Sequence, residues 1–185
     1  SLVADQTIKD FINESDKQVA VVGEWEDKAT GLIVPVRCLI DLAPTQDSQF
    51  SANLGDLKTT RSAAVKPFSR FAYQMGYHLQ AAWNLRLWNA ATGNDRNSFC
   101  LILVENFPPF QTGKRIVSPE FLTLATMDID RLMANYCKAL ASSEWPGYDD
   151  SIDAVGGWSV MRPEPWMESE AFFAPQVGAT EEMPF

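Results

Sequence analysis

The chain has 185 residues, of which 46% are apolar, and its formal net charge is −9. This length and apolar content predict one folded domain with a substantial core, and they exclude an intrinsically disordered chain. No apolar run reaches 18 residues, so we expect no membrane-spanning helix, and we find no signal-peptide pattern.

Charge and cysteine are unevenly placed along the chain. Residues 144–185 hold nine acidic residues and one basic residue, whereas residues 56–70 hold four basic residues and one acid. An acidic protein can therefore present a local basic face to nucleic acid. Cys38, Cys100 and Cys137 have no CxxC spacing, which predicts buried free thiols and a reducing, cytoplasmic location.

The predicted elements begin with a helix over residues 6–15, where apolar residues recur at helical spacing. The strands predicted next are residues 18–26, 32–42 and 51–59. The first two of these strands are expected to form a hairpin, and Pro35 in the second indicates an edge or a bulge.

The second half of the chain alternates between helical and strand patterns. From Arg61 to Ala91 apolar residues recur every three or four positions, and Pro67 and Gly76 are expected to divide this helical stretch. A buried strand over residues 98–107 follows, with a segment at 115–119 that pairs back onto it. Ser118 then opens a long amphipathic helix.

This order of elements predicts the fold class. We expect an α/β domain over residues 1–148, in which a central mixed sheet is flanked by helices. Residues 149–185, rich in proline, tryptophan and acid, are expected to form a tail or docking arm. Because the chain begins with Ser1 rather than Met, we expect the N-terminal part of the domain to be truncated.

Two acids and a lysine stand at the ends of predicted neighbouring strands. Asp41 ends an apolar run, and Asp56 follows fifteen residues later, with Lys58 on the same strand face because side chains alternate. Two carboxylates can hold Mg²⁺ that keeps several waters, and the lysine can orient an attacking water. A solvated, charged strand end is the alternative interpretation of this pattern.

Several motifs carry a resemblance to a known family. The segments "IDL", "GDLKTT", "FAYQMGYHLQAAWNL" and "EWPGY" resemble the RecE-type (exonuclease VIII-like) exodeoxyribonucleases. These belong to the PD-(D/E)xK nuclease superfamily, together with lambda exonuclease and the nuclease domain of RecB. The resemblance covers residues 19–148 and implies a restriction-endonuclease-like core.

The resemblance also implies roles for individual residues. Asp41 and Asp56 would bind Mg²⁺ or Mn²⁺, Lys58 would assist the attacking water, and Gln80 would bind substrate and order the site. Relatives carry a glutamate on the strand before "IDL", for which Glu24 is the candidate here, with Glu26 as the alternative. Asn84 stands where the family has a tyrosine, four positions after the glutamine.

The predicted DNA-contacting residues follow the acid–lysine strand. They are Thr59, Arg61, Lys66 and Arg70, which would contact the DNA backbone. The alternative for the three basic residues is that each is an ordinary solvated helix residue. His78 is the sole histidine, and we interpret it as a helix residue that packs near the site, with a role beside the phosphate as the alternative.

The resemblance leads to a functional prediction. The protein is expected to be a Mg²⁺-dependent exonuclease of phage or prophage recombination, which degrades one strand of linear duplex DNA from its end, 5′ to 3′. A ring-shaped homo-oligomer and a single-strand annealing protein are the expected assembly and partner. The alternatives are a DNA-binding module that has lost activity and a structure-specific endonuclease. The last residues, "EEMPF", resemble the tip of bacterial single-stranded DNA-binding proteins, or else pack on their own chain.

Overall fold

The computed structural model describes residues 5–147, 154–155 and 158–159. The chain divides into two compact units, Ser1–Glu144 and Trp145–Phe185. The second unit contains a short antiparallel pair of strands, β6 (Ala154–Val155) and β7 (Trp158–Ser159). The segment "EEMPF" lies outside the described residues, as does most of the predicted tail.

The first unit contains a five-stranded sheet and four described helices. The strands are β1 (Ser15–Asp27), β2 (Leu32–Pro44), β3 (Asn53–Thr60), β4 (Ser98–Glu105) and β5 (Thr112–Ile116). The helices are α1 (Gln6–Asn13), α2 (Val65–Gln74), α3 (Tyr77–Thr92) and α4 (Pro119–Ser142). The strand order is β1-β2-β3-β4-β5, and all neighbours are antiparallel except β3 and β4, which are parallel.

This topology confirms the predicted α/β class with a mixed sheet flanked by helices. A parallel pair of strands needs a crossover connection, and α2 and α3 supply it between β3 and β4. The three cysteines are free, as predicted; Cys137 is buried, whereas Cys38 and Cys100 are only half-buried.

The helix boundaries follow ordinary capping chemistry. Asp5 caps α1 by accepting a hydrogen bond from the Ile8 N–H, and Ser118 caps α4 in the same way. Gly76 separates α2 from α3 with a φ of 69°, which confirms the predicted break because glycine adopts this conformation at little cost.

Two predictions about α2 were wrong. The helix begins at Val65 rather than at Arg61, which leaves Arg61 in the connection after β3. Pro67 does not divide the helical stretch, because it lies in the first turn of α2. A backbone N–H has no intrahelical partner there, so proline costs nothing.

Apolar side chains cover both faces of the sheet. Ile40, Leu54, Phe99 and Leu103 belong to the main core, together with residues of α2 and α3. On the opposite face, Leu42 and Ile102 pack against Ile8 and Phe11 of α1. The α3 helix therefore covers the face toward which the polar residues of β3 point.

The β1–β2 hairpin separates from the rest of the sheet along much of its length. β1 and β2 pair from Ser15 with Pro44 as far as Asp27 with Leu32, whereas β2 meets β3 at Leu42 and Gly55. Pro35 lies on the separated stretch, opposite Glu24, which matches the expected edge.

Candidate active site

A buried carboxylate lies immediately after the point where β2 and β3 meet. Asp56, on β3, has 2% of its surface exposed. Gln80, on α3, donates a hydrogen bond from Nε2 to Asp56 Oδ1 over 2.7 Å, and Lys58 Nζ lies 2.6 Å from Asp56 Oδ2. Because side chains two apart on a strand share a face, β3 presents the acid and the amine together, as predicted.

The electrostatic setting of Asp56 suits a cation. Burial raises the pKa of Asp56; Lys58 and Gln80 lower it, whereas the charge of Asp41 raises it further. Although Lys58 lies close to Oδ2, this buried oxygen accepts no hydrogen bond of ordinary direction among the described residues. A carboxylate oxygen in that position has spare capacity for a second cationic partner.

Asp41 approaches Asp56 from β2, near enough for its charge to act on the Asp56 carboxylate. Its Oδ2 accepts a hydrogen bond from the Leu57 N–H over 3.2 Å, and its Oδ1 accepts one from Gln18 Nε2 over 2.8 Å. The Asp41 carboxylate therefore accepts a hydrogen bond from the backbone of β3 at the point where β2 and β3 diverge. Its side chain is half-buried and lines an open cavity of about 270 Å³.

The strand geometry around Asp41 is irregular. Ile40 and Leu42 are two residues apart, yet they pack in clusters on opposite faces of the sheet, so the usual alternation of side chains breaks at Asp41. Across from it, Gln18 has a φ of 55°, which is uncommon for a residue other than glycine. This local distortion turns the Asp41 carboxylate toward β3.

The two carboxylates fit a divalent cation with oxygen ligands. Mg²⁺ is commonly held by one or two carboxylates and keeps several waters, and Asp56 Oδ2, which lies 2.6 Å from Lys58 Nζ, has a further lone pair for one ligand position. Among the residues that the structure describes, no group of three or more His, Cys, Asp or Glu could hold a metal. A cation here would therefore complete its coordination with water and backbone oxygens.

Lys58 is held from two sides. Its Nζ lies 4.6 Å from the centre of the Tyr77 ring, and it also contacts Asp56. Tyr77, at the start of α3, packs in turn against Phe68 and Phe71 of α2. Sequence reasoning missed this role of Tyr77, although its spacing of three residues from Gln80 places the two on neighbouring positions of one helix face.

Glu24 does not join the site. It lies opposite Pro35, six residues along β2 from Asp41, which at about 3.3 Å per residue corresponds to roughly 20 Å. Glu26 lies opposite Ile33, farther still. The prediction that Glu24 completes the active site is therefore wrong for this structure, because the hairpin that carries it extends away from β3.

The predicted DNA-contacting residues lie at the end of β3, in the connection after it and on α2. Thr59 and Arg61 are exposed and line a cavity of about 330 Å³ beyond the acid–lysine strand. Lys66 and Arg70, both exposed, lie four residues apart on α2 and so share a face of that helix. Their contact with DNA stays a prediction.

His78 and Asn84 are both buried in α3. The His78 ring stacks on Phe121 at 4.6 Å between ring centres and on Tyr73 at 5.0 Å, in line with the packing interpretation. Asn84 lies one turn after Gln80, and its Nδ2 has no hydrogen-bond partner among the described residues.

Comparisons with known proteins identify the fold. No family model matches the chain, and no curated protein matches it. Among solved structures, a protein of Eubacterium rectale described as a "putative exonuclease" superposes with a TM-score of 0.61 at 17% sequence identity. The match covers 92% of this chain but only 62% of that protein.

A second solved structure, named SSO0001, is less similar. It has a TM-score of 0.41 at 15% identity, covering 71% of this chain and 56% of that protein. The first similarity and the strand order together identify a restriction-endonuclease-like fold. Within the described part of the chain, no helix is both long and apolar enough to span a membrane.

Proposed function

We propose that this protein is a metal-dependent deoxyribonuclease that acts as an exonuclease on linear duplex DNA. The observation that carries the proposal is the buried Asp56 carboxylate, which lies between Lys58 and Gln80 and beside Asp41. Perturbed carboxylates with a cationic partner cluster at functional sites. The restriction-endonuclease-like fold and the similarity to the E. rectale protein add support.

The residues divide the work of phosphodiester hydrolysis. Asp41 and Asp56 would hold the cation, which when bound supplies a Lewis acid and lowers the pKa of a coordinated water. Lys58 would orient the attacking water and stabilise the charge that develops on the phosphate. Gln80 holds Asp56 Oδ1 by a hydrogen bond, so the carboxylate keeps one orientation and Oδ2 stays available to the cation.

The more specific features of the proposal derive from the RecE-type resemblance. They are 5′ to 3′ polarity, a role in phage or prophage recombination, a ring-shaped homo-oligomer, a single-strand annealing partner and a cytoplasmic location. The chain spans 62% of the length of the E. rectale protein.

The first experiment tests cleavage and its metal dependence. We expect linear duplex DNA to be degraded with Mg²⁺ or Mn²⁺, bound but not cut with Ca²⁺, and left intact in excess EDTA. Asp56→Ala and Lys58→Ala should each abolish cleavage, and only Asp56→Ala should weaken metal binding. Asp130→Ala is the matched control, because it removes an acid from an exposed ion pair with Arg86 that is 2.7 Å long, close to the 2.6 Å of the Asp56–Lys58 pair.

Circular duplex DNA separates the exonuclease from an endonuclease on the same fold. An exonuclease needs an end, so covalently closed circles should stay intact while their linearised form is degraded. Cutting of closed circles would support the endonuclease instead. Undiminished cleavage by Asp56→Ala or Lys58→Ala, or cleavage in EDTA, would contradict the assigned site.

DNA binding can be tested separately from cleavage. If Arg61 and Lys66 contact phosphates, the double alanine variant should bind DNA with a shallower salt dependence, by about 0.9 per lost contact on a log–log plot. The affinity for DNA should fall by the same factor for every DNA sequence, because phosphate contacts carry no base information. An unchanged slope would show that these residues are solvated and that DNA lies elsewhere.

A further inference from the structure

A second cavity lies beside the proposed active site, beyond the end of β3. It has a volume of about 330 Å³. Its lining residues are Thr59, Thr60, Arg61, Ser62, Pro67, Phe68, Phe71 and Asn106. No acidic residue is among them, so an anionic strand would meet no like charge in the lining.

Aromatic contacts connect this cavity to the site. The Phe71 ring packs edge-on against the Tyr77 ring at 5.9 Å, and Lys58 Nζ lies 4.6 Å from the centre of that same tyrosine ring. The Phe71 ring centre is therefore no more than about 10.5 Å from the Lys58 ammonium. A molecule in the cavity would be close to a phosphate bound at the carboxylates.

The cavity combines an apolar wall with a polar rim. Phe68 is buried at 3% exposure and belongs to the core, whereas Phe71, three residues later on α2, is 38% exposed. The Asn106 N–H donates to the Thr60 carbonyl oxygen over 2.9 Å, which brings the segment after β4 against the end of β3. The side chains of Arg61 and Asn106 have no hydrogen bond or ion pair with other described residues, so both can bind a ligand.

These groups match one chemical class of ligand. An exposed phenylalanine face can stack on a planar base, and a side-chain amide can both donate to and accept from the edge of that base. A guanidinium binds the attached phosphate. The volume lies at the small end of ligand pockets, so it suits one nucleotide rather than a base pair.

We propose that this cavity is a subsite for one unpaired nucleotide of the DNA strand being cut, with its base stacked on Phe71 and its edge bound by Asn106. The inference rests on the proposed nuclease function, since it assigns the strand's position at that site. A free deoxynucleoside monophosphate, the product of exonuclease action, has the same chemistry and is the second source of such a ligand.

Abasic scanning in Ca²⁺ tests the subsite without cleavage. Linear duplexes with a single abasic nucleotide at successive positions from each end are compared in equilibrium binding. One position should lose about 5- to 150-fold in affinity, the range expected for one base stacked on an aromatic side chain. Loss at no position, or equal loss at every position, would overturn the proposal.

Variants then assign the effect to Phe71. Phe71→Ala should weaken binding of intact DNA by a similar factor and show no further loss at the sensitive abasic position, because both changes remove the same contact. Phe71→Leu keeps apolar volume without a π-face and serves if the alanine variant unfolds, whereas Phe71→Tyr should bind normally. Phe107→Ala is the control, since Phe107 is an exposed aromatic next to Asn106 that does not line the cavity.

Titration with deoxynucleoside monophosphates distinguishes the two sources. Phe71-dependent binding of the monophosphate without an abasic effect would assign the cavity to the product and contradict the strand subsite. Normal metal-dependent cleavage that is insensitive to Phe71 would overturn this inference while leaving the proposed function intact. A Phe71-dependent abasic effect in a protein that never cleaves DNA would support base stacking in this cavity and overturn the proposed nuclease function.

Discussion

Gly55→Ala is expected to destabilise the protein because the new methyl group has no space. Gly55 lies in β3, directly before Asp56. A Cβ atom there would lie 2.5 Å from Phe11 Cε1, 2.9 Å from Phe11 Cζ and 3.4 Å from Leu42 Cβ. Carbon atoms in good contact are about 3.5–4.0 Å apart, so the Phe11 ring would have to move by about 1 Å.

The Phe11 ring has little freedom to move away. It is 4% exposed, it packs in one cluster with Ile8 and Ile102, and its ring centre lies 5.1 Å from that of Phe50. Overpacking of this kind costs about 1–3 kcal/mol. For a unit of this size, each kcal/mol corresponds to about 3–4 °C in Tm, so we expect Gly55→Ala to lower Tm by roughly 3–12 °C.

Thermal and urea unfolding followed by circular dichroism measure this effect. Gly23→Ala is the matched control, because a Cβ at that strand glycine would meet Leu87 Cδ2 at an ordinary 3.6 Å. Phe11→Leu should relieve the clash, so the double variant with Gly55→Ala should lose less stability than the two single changes added together. A Gly55→Ala protein that melts with the wild type and with Gly23→Ala would refute the reasoning.

Three further predictions concern single side chains. Tyr77→Leu should lower the cleavage rate about 2- to 30-fold, the range for a lost cation–π contact with Lys58, whereas Tyr77→Phe should keep the wild-type rate. Initial rates in Mg²⁺ distinguish the two variants, and equal losses would contradict a positioning role for Tyr77. Burial lowers the pKa of His78, so the free energy of unfolding should be highest above about pH 6.5 and should decline as the pH falls below that value. His78→Phe keeps the stack on Phe121 without a charge and should remove that decline from Tm-against-pH curves. An unchanged decline in the variant would contradict the argument. Burial raises the pKa of Asp56, so the protein gains stability as the pH falls through that raised pKa. Asp56→Asn should abolish cleavage and should remove this gain from Tm-against-pH curves, and an unchanged gain would contradict the argument.

Local patterns in the sequence were sufficient for most elements and for half of the site. Side-chain alternation placed Asp56 and Lys58 on one strand face, and the structure brings their charged atoms to 2.6 Å. Glycine at position 76 predicted the break between α2 and α3, which the structure confirms. These features depend on neighbours along the chain, so short segments are enough to predict them.

Features that depend on strand register could not be predicted from local patterns. Asp41 approaches Asp56 because β2 pairs with β3 at Leu42 and Gly55. This pairing brings together two acids that are fifteen positions apart in the sequence. The same register directs the hairpin, and Glu24 with it, away from the site.

Tertiary packing also decided the surroundings of Lys58. Tyr77 meets Lys58 because α3 crosses the face of β3, and the neighbouring cavity exists because α2 and the segment after β4 close around the end of that strand. Such contacts join residues far apart in sequence, and their energies depend on how helices and strands are placed. The sequence alone therefore determined which chemical groups β3 carries, whereas only the tertiary structure decided which other side chains meet them.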